Sequence, residues 1–154
     1  MNRQPDGSRE LRNCGDCDAA PGALHVEGCD VERCPKCGGQ NISCGCIYEE
    51  NGIDQLTMRE TYPEIYMSGP TEEMFEVWDA KWGSRRVPWS GEYPGTAECR
   101  EFGFWCVEQP NQNPWWKRVP AGTEGASEDL NRLYRETDWD PNLQRRVLRT
   151  RTGT

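Results

Sequence analysis

Seven of the nine cysteines of this 154-residue chain, and its single histidine, fall between Cys14 and Cys46. They stand as Cys14-x2-Cys17, His25-x3-Cys29, Cys34-x2-Cys37 and Cys44-x-Cys46. Thiolate and imidazole groups at such short spacings can wrap a cation in tight turns. A closed structural zinc site takes four such ligands, so eight of them fill two tetrahedral sites. The remaining composition makes this cluster decisive. Only 34% of the residues are hydrophobic, 16 are Gly and 11 are Pro, and the mean hydropathy is -0.94. A chain this short and this polar buries little apolar surface, which points to metal staples in place of a large core.

The spacing leaves the pairing of half-sites open. Sixteen residues separate Cys17 from Cys34, within the window for a four-cysteine site, so Cys14, Cys17, Cys34 and Cys37 are expected on one ion. His25, Cys29, Cys44 and Cys46 then hold the second, interleaved with the first as in cross-brace modules. A sequential alternative puts His25, Cys29, Cys34 and Cys37 together. Disulfides fit less well, because nine is odd and the first ten residues carry no apolar stretch for secretion. Iron is chemically possible in a four-thiolate site, but the histidine favours zinc. His25-Val26-Glu27 and Cys34-Pro35-Lys36-Cys37 share elements with the signature of zinc deaminases. Arg33 stands where that signature needs Pro, however, and the gap from Glu27 to Cys34 is too short for its scaffold.

Cys34-Pro35-Lys36-Cys37-Gly38-Gly39 resembles the knuckle of zinc ribbons and rubredoxin-like sites. The longer run from Gly28-Cys29-Asp30 through Cys34-Pro35-Lys36-Cys37-Gly38-Gly39-Gln40 to Ser43-Cys44-Gly45-Cys46 is similar to a motif of small uncharacterised bacterial and phage proteins. A second block shares that resemblance, with Trp89-Ser90-Gly91-Glu92-Tyr93-Pro94-Gly95 and Glu98-Cys99-Arg100-Glu101-Phe102-Gly103. The resemblance implies one unit containing both blocks and carries no activity with it. Cys14-x2-Cys17 lies outside it.

Charge narrows the function classes. The formal net charge is -8, with -4 in residues 1–50, -5 in 51–98 and +1 in 99–154. Seven thiolates on two divalent ions would take it to about -11. Non-specific nucleic-acid affinity needs the opposite sign. The acid-free basic stretch is the tail carrying Arg145, Arg146, Arg149 and Arg151, which reads as a solvated end. No apolar run approaches the roughly 20 residues of a spanning helix, so the expected compartment is cytoplasmic, with no membrane partner.

The rest of the chain reads as a small, irregular α+β unit. Thr71 precedes Glu72 to Trp82, and Gly83 follows, which has the start and stop signals of a helix. Its apolar stripe of Met74, Val77, Trp78 and Trp82, with Phe75 beside it, is expected in the core. Cys99 to Gln109 and Trp115 to Val119 read as an aromatic β-hairpin turning through Pro110 to Pro114. Cys99 and Cys106 then face opposite sides as separate buried thiols. Ser127 is the expected cap of a second short helix carrying Leu130, Leu133 and Tyr134. The implied organisation is a disordered 1–13, a zinc module over 14–50, an α+β unit over 51–140 and a basic tail over 141–154.

Enzymatic constellations are sparse, since the one histidine is spent as a ligand and no phosphate loop or nucleophile elbow occurs. The leading expectation is a non-enzymatic zinc-binding protein, an adaptor, regulator or phage accessory protein, whose acidic surface steers a basic protein partner. A zinc-ribbon nucleic-acid-binding regulator, using the hairpin aromatics and the basic tail, is the alternative. A zinc-dependent hydrolase is the third.

Overall fold

The structure, a computed structural model, describes residues 10–149, and it is a small α+β assembly of short helices and two small antiparallel sheets. The disorder expected for 1–13 falls mostly on residues outside those described, as does Arg151. Residues 10–45 carry no helix, only turns and one isolated bridge between Arg33 and Gln40. Then follow α1 (Cys46–Glu50), α2 (Met58–Thr61), α3 (Pro63–Ser68) and α4 (Glu72–Trp82). The second half holds α5 (Thr96–Phe102), β1 (Trp105–Glu108), β2 (Trp116–Val119), β3 (Ser127–Glu128), α6 (Leu130–Glu136), β4 (Thr137–Asp140) and β5 (Arg145–Leu148). No helix among the described residues is long and apolar enough to cross a membrane.

The longest helix forms where its signals stand. Thr71 accepts a hydrogen bond from the Met74 backbone N–H at 3.3 Å, Glu72 and Glu73 sit at the positive N-terminal end, and Lys81 sits at the other. Met74, Trp78 and Trp82, four residues apart, are buried as one stripe. Phe75 and Val77 depart from the expected core, with 49% and 47% of their surfaces exposed.

The expected long hairpin is half right. Trp105–Glu108 pairs with Trp116–Val119 in register Trp105 to Val119, and Ser127–Glu128 adds on the other side of β1. Residues 99–102 are helical instead of extended, as the end of α5. Gly103 explains the difference. It sits at φ 72°, the left-handed conformation that ends a helix, and the next N–H, of Phe104, returns to the Cys99 carbonyl at 2.8 Å. Aromatic β-propensity therefore governs only the residues after Gly103. Cys99 lies on α5, fully buried against Phe104 and Leu133.

Two further expectations shift. Asp129, not Ser127, caps α6, accepting from the Arg132 N–H at 3.0 Å, because Ser127 and Glu128 are taken up by β3. The basic stretch from Arg145 is not a solvated tail in its described part. Arg145–Leu148 is strand β5, paired with β4, and its cations are engaged: Arg145 with Glu101, and Arg149 with Asp138 at 2.9 Å. Strand pairing forces these side chains across to acidic neighbours.

A buried ion pair ties the cysteine-rich segment to α5. Arg33 Nη1 lies 3.0 Å from Glu98 Oε2, with side chains 12% and 9% exposed, and the Arg146 N–H also donates to Glu98 at 3.2 Å. Burial works to raise the Glu98 carboxyl, but the charge and hydrogen bond of Arg33 outweigh it and hold the carboxyl below its usual range. A lowered carboxylate contributes stability that is complete above the unfolded value and is lost as pH falls through the native one. Glu98→Gln strands a buried guanidinium and is expected to cost about 3–5 kcal/mol at neutral pH. In denaturant titrations the difference from the parent should shrink as pH falls below the ordinary carboxylate range; a pH-independent difference contradicts this account.

Candidate metal centres

The eight ligand-type residues gather into two tetrads, Cys14, Cys17, His25 and Cys29 in the first, and Cys34, Cys37, Cys44 and Cys46 in the second. Within each, the four donor atoms lie within 4.8 Å of one another. The pairing is therefore first half-site with second and third with fourth. Both partitions considered from the spacing, the interleaved one and the one joining His25, Cys29, Cys34 and Cys37, are corrected by this geometry. Short closures explain why. Each tetrad closes within one contiguous stretch, 14–29 or 34–46, so the entropy of ordering each loop stays small.

The distances suit a tetrahedral ion. Zinc–sulfur bonds of about 2.3 Å place two sulfurs of a tetrahedron about 3.8 Å apart. Cys14 Sγ and Cys29 Sγ are 3.7 Å apart, and Cys17 Sγ lies 3.4 Å from His25 Nδ1. The donor sets are three thiols with one imidazole, and four thiols, both soft and both without a carboxylate.

Both tetrads begin with the same backbone knuckle. The Cys34 N–H donates to the Gly39 carbonyl at 2.7 Å, and the Gly38 N–H returns to the Cys34 carbonyl at 2.8 Å. At the first site the Cys14 N–H donates to Ala19 at 2.8 Å, and the Asp18 N–H returns to Cys14 at 2.9 Å. Gly38 adopts φ 75° and Asp18 adopts φ 63°, so aspartate takes the left-handed place that glycine fills in the second knuckle. Amides point at sulfur as well: Gly39 N–H donates to Cys37 at 3.3 Å and Val31 N–H to Cys29 at 3.4 Å.

Charge concentrates on one sulfur per tetrad. Burial works to raise the Cys17 thiol, but N–H groups of Val26 and Ala19, with His25 and Cys29, bring it down to about 6. Hydrogen bonds from Cys34 and Cys44 bring Cys37 down to about 2. Their neighbours move the other way, with burial pushing Cys29 up to about 12 and raising Cys46 also. A cation that binds here displaces the remaining thiol protons, so affinity rises with pH.

Tryptophans from outside the cysteine-rich stretch roof both tetrads. Trp89 packs on Cys14 and Cys29, sets its ring edge-on to His25 at 5.7 Å, and donates from Nε1 to the Arg12 carbonyl at 2.5 Å. Trp78 and Trp82, stacked 5.9 Å apart, pack on Cys34 and Cys46. Trp139, on β4, donates from Nε1 to the Pro35 carbonyl at 2.9 Å and lies over Gly38. The zinc module expected over 14–50 is thus covered by residues 78–139. Spacing within 14–46 could not reveal these lids; the signal available was the excess of Trp, seven in a chain with a thin core.

Gly38 tests the lid directly. A Cβ there would overlap the Trp139 ring, and the positive φ adds backbone strain. Gly38→Ala is expected to lower stability by about 2–4 kcal/mol. Denaturant midpoints check it, and a change under about 0.5 kcal/mol, the range of ordinary surface substitutions, would show that ring and knuckle do not press together.

Outside the tetrads, burial pushes the Cys99 thiol up to about 12, and Cys106 is raised as well. Cys99 is fully buried and Cys106 is half-buried. Comparison with protein-family models, with curated proteins and with solved structures found no match to this chain.

Proposed function

We propose that the chain is a non-enzymatic protein built on two structural zinc ions, acting through contacts with a basic protein partner. One observation carries the metal half of this reading: each tetrad supplies four soft donors, closing a tetrahedron with no position left for water. Tryptophan lids over both sites support a structural role, because a working catalytic metal must be reached by its substrate. The acidic charge supports a basic partner.

Cobalt substitution tests the reading. Spectra with one site of three sulfurs and one nitrogen and one of four sulfurs, and no exchangeable water in proton relaxation, are the expected result. An exchangeable water on either ion overturns the non-enzymatic assignment. That outcome has a specific place to look: a cavity of about 460 Å³ is lined by His25 and Trp89 and by the paired Arg33 and Glu98.

A nucleic-acid reading has one observation in its favour, the 58% exposure of Trp115 beside Lys117 and Arg118 on the hairpin. Salt-dependent binding of single-stranded DNA, lost in Trp115→Ala, would move the assignment there.

A further inference from the structure

The ion pairs of this molecule are unevenly distributed. Glu32 pairs with Arg86, Glu49 and Glu50 with Lys36, Glu92 with Arg100, Glu98 with Arg33, Glu101 with Arg145, Glu136 with Arg132 and Asp138 with Arg149. Residues 54–80 are different. They hold seven carboxylates, Asp54, Glu60, Glu64, Glu72, Glu73, Glu76 and Asp79, against the single cation Arg59, and so carry -6 of the formal -8. All seven are exposed, and none forms an ion pair among the described residues.

The same segment exposes apolar side chains that its own packing does not use. Met58, Ile65 and Met74 turn inward with Ile53, joining α2, α3 and α4 on one small core. Outward stand Leu56 at 91% exposure and Met67 at 80%, with Tyr62 and Tyr66 one helical turn apart, the Arg59 guanidinium 5.8 Å over the Tyr66 ring, and Phe75 and Val77 on α4. No residue of α3 is buried. Scattered exposed apolar residues are ordinary on a surface, but here they coincide with the stretch whose carboxylates form no ion pair among the described residues.

We propose that α2, α3 and the exposed flank of α4 form a docking surface for a basic amphipathic segment of another protein, with Leu56, Met67 and the tyrosines as anchors. This deepens the proposed protein-contact function and rests on it. Charge complementarity selects the occupant. A carboxylate field repels nucleic acid and anionic lipid, and a second copy of this chain has seven of its twelve described arginines engaged in its own ion pairs. A cationic helix with an apolar stripe satisfies both halves of the surface, and flexible Met with aromatic anchors suits such grooves.

The probe is a labelled synthetic peptide of about 18 residues, Leu at helical spacing and Lys elsewhere, titrated by fluorescence anisotropy against the zinc-loaded full chain. Binding that weakens as salt rises, and that falls about tenfold or more in Leu56→Ser/Met67→Ser while zinc content is unchanged, is the expected result. Glu60→Lys/Glu64→Lys, which replaces two exposed carboxylates, should weaken it comparably and covers the case in which the first variant loses its fold. Leu143→Ser, exposed on the other half of the molecule, should not. Three outcomes overturn the surface: binding unaffected by both double variants, equal binding of poly-lysine without an apolar stripe, or a salt-sensitive dimer in sedimentation that these variants abolish. Attachment to phosphatidylglycerol vesicles would also overturn it. Failure of the parent chain to bind the peptide at all instead counts against the basic-partner function on which the surface depends.

Discussion

Removing both metals is expected to unfold the chain well beyond the cysteine-rich stretch, with loss of the tryptophan near-UV signal and of most helical ellipticity. The magnitudes decide this. A structural zinc contributes on the order of 10–16 kcal/mol of apparent binding free energy at neutral pH, whereas a domain's whole net stability is about 5–15 kcal/mol. Loss of either ion is thus comparable to everything that keeps the fold together. The packing shows how far the effect travels. Two of the four buried clusters among the described residues are centred on the tetrads, and Trp78, Trp82 and Trp89 in them belong to later parts of the chain. Remove the ion, and the cysteine side chains are left packed beneath indole rings with nothing to hold them together. Chelation followed by circular dichroism and Trp fluorescence checks this. Unchanged Trp signals after complete metal removal would contradict a structural role.

The second large effect separates the two sites. Trp89→Ala is expected to cost about 3–5 kcal/mol and to speed zinc loss from the first tetrad alone, and Trp82→Ala should do the same at the second. Trp89 is held on several sides: its N–H and carbonyl bond to Ala23 at 2.9 Å and Gly22 at 2.6 Å, and its indole N–H bonds to Arg12. Truncation therefore opens a cavity against Cys14 and Cys29 and leaves the Arg12 carbonyl without its donor. Trp82 stacks on Trp78, packs on Cys34 and Cys46 and donates to Glu50 at 3.2 Å, so its loss opens a cavity against the second tetrad and leaves Glu50 held by Lys36 and Lys81 alone. Zinc release to a chromogenic chelator should be biphasic in both variants, with one fast phase. Equal acceleration of both ions by either variant would show that the lids are not site-specific.

The eight donor positions were legible because metal chemistry leaves few choices of residue type, and the Thr71 cap of α4 because helix starts are local. Half-site pairing was not, since spacing alone permits several closures and only the folded path brings Cys14 to Cys29. Gly103 was legible in principle, yet the three aromatics around it, Phe102, Phe104 and Trp105, dominate the β-propensity of the segment. The basic stretch reads as a tail because Arg145, Arg146 and Arg149 have no acid among them in sequence; Glu101 and Asp138, which take the Arg145 and Arg149 guanidinium groups, and the Thr137 carbonyl, which takes that of Arg146, arrive through tertiary contact. Phe75 and Val77 kept helical spacing while facing solvent, for an apolar stripe cannot state how wide its buried face is.

The central claim, two zinc ions each held by one contiguous tetrad, is tested most directly by counting zinc in two double variants with native mass spectrometry. Cys14→Ser/Cys29→Ser removes two ligands from one tetrad and should retain the second ion, giving one zinc per chain. Cys14→Ser/Cys34→Ser damages both and should retain none. The reverse pattern, none in the first and one in the second, is what interleaved sites produce, and it would contradict the account.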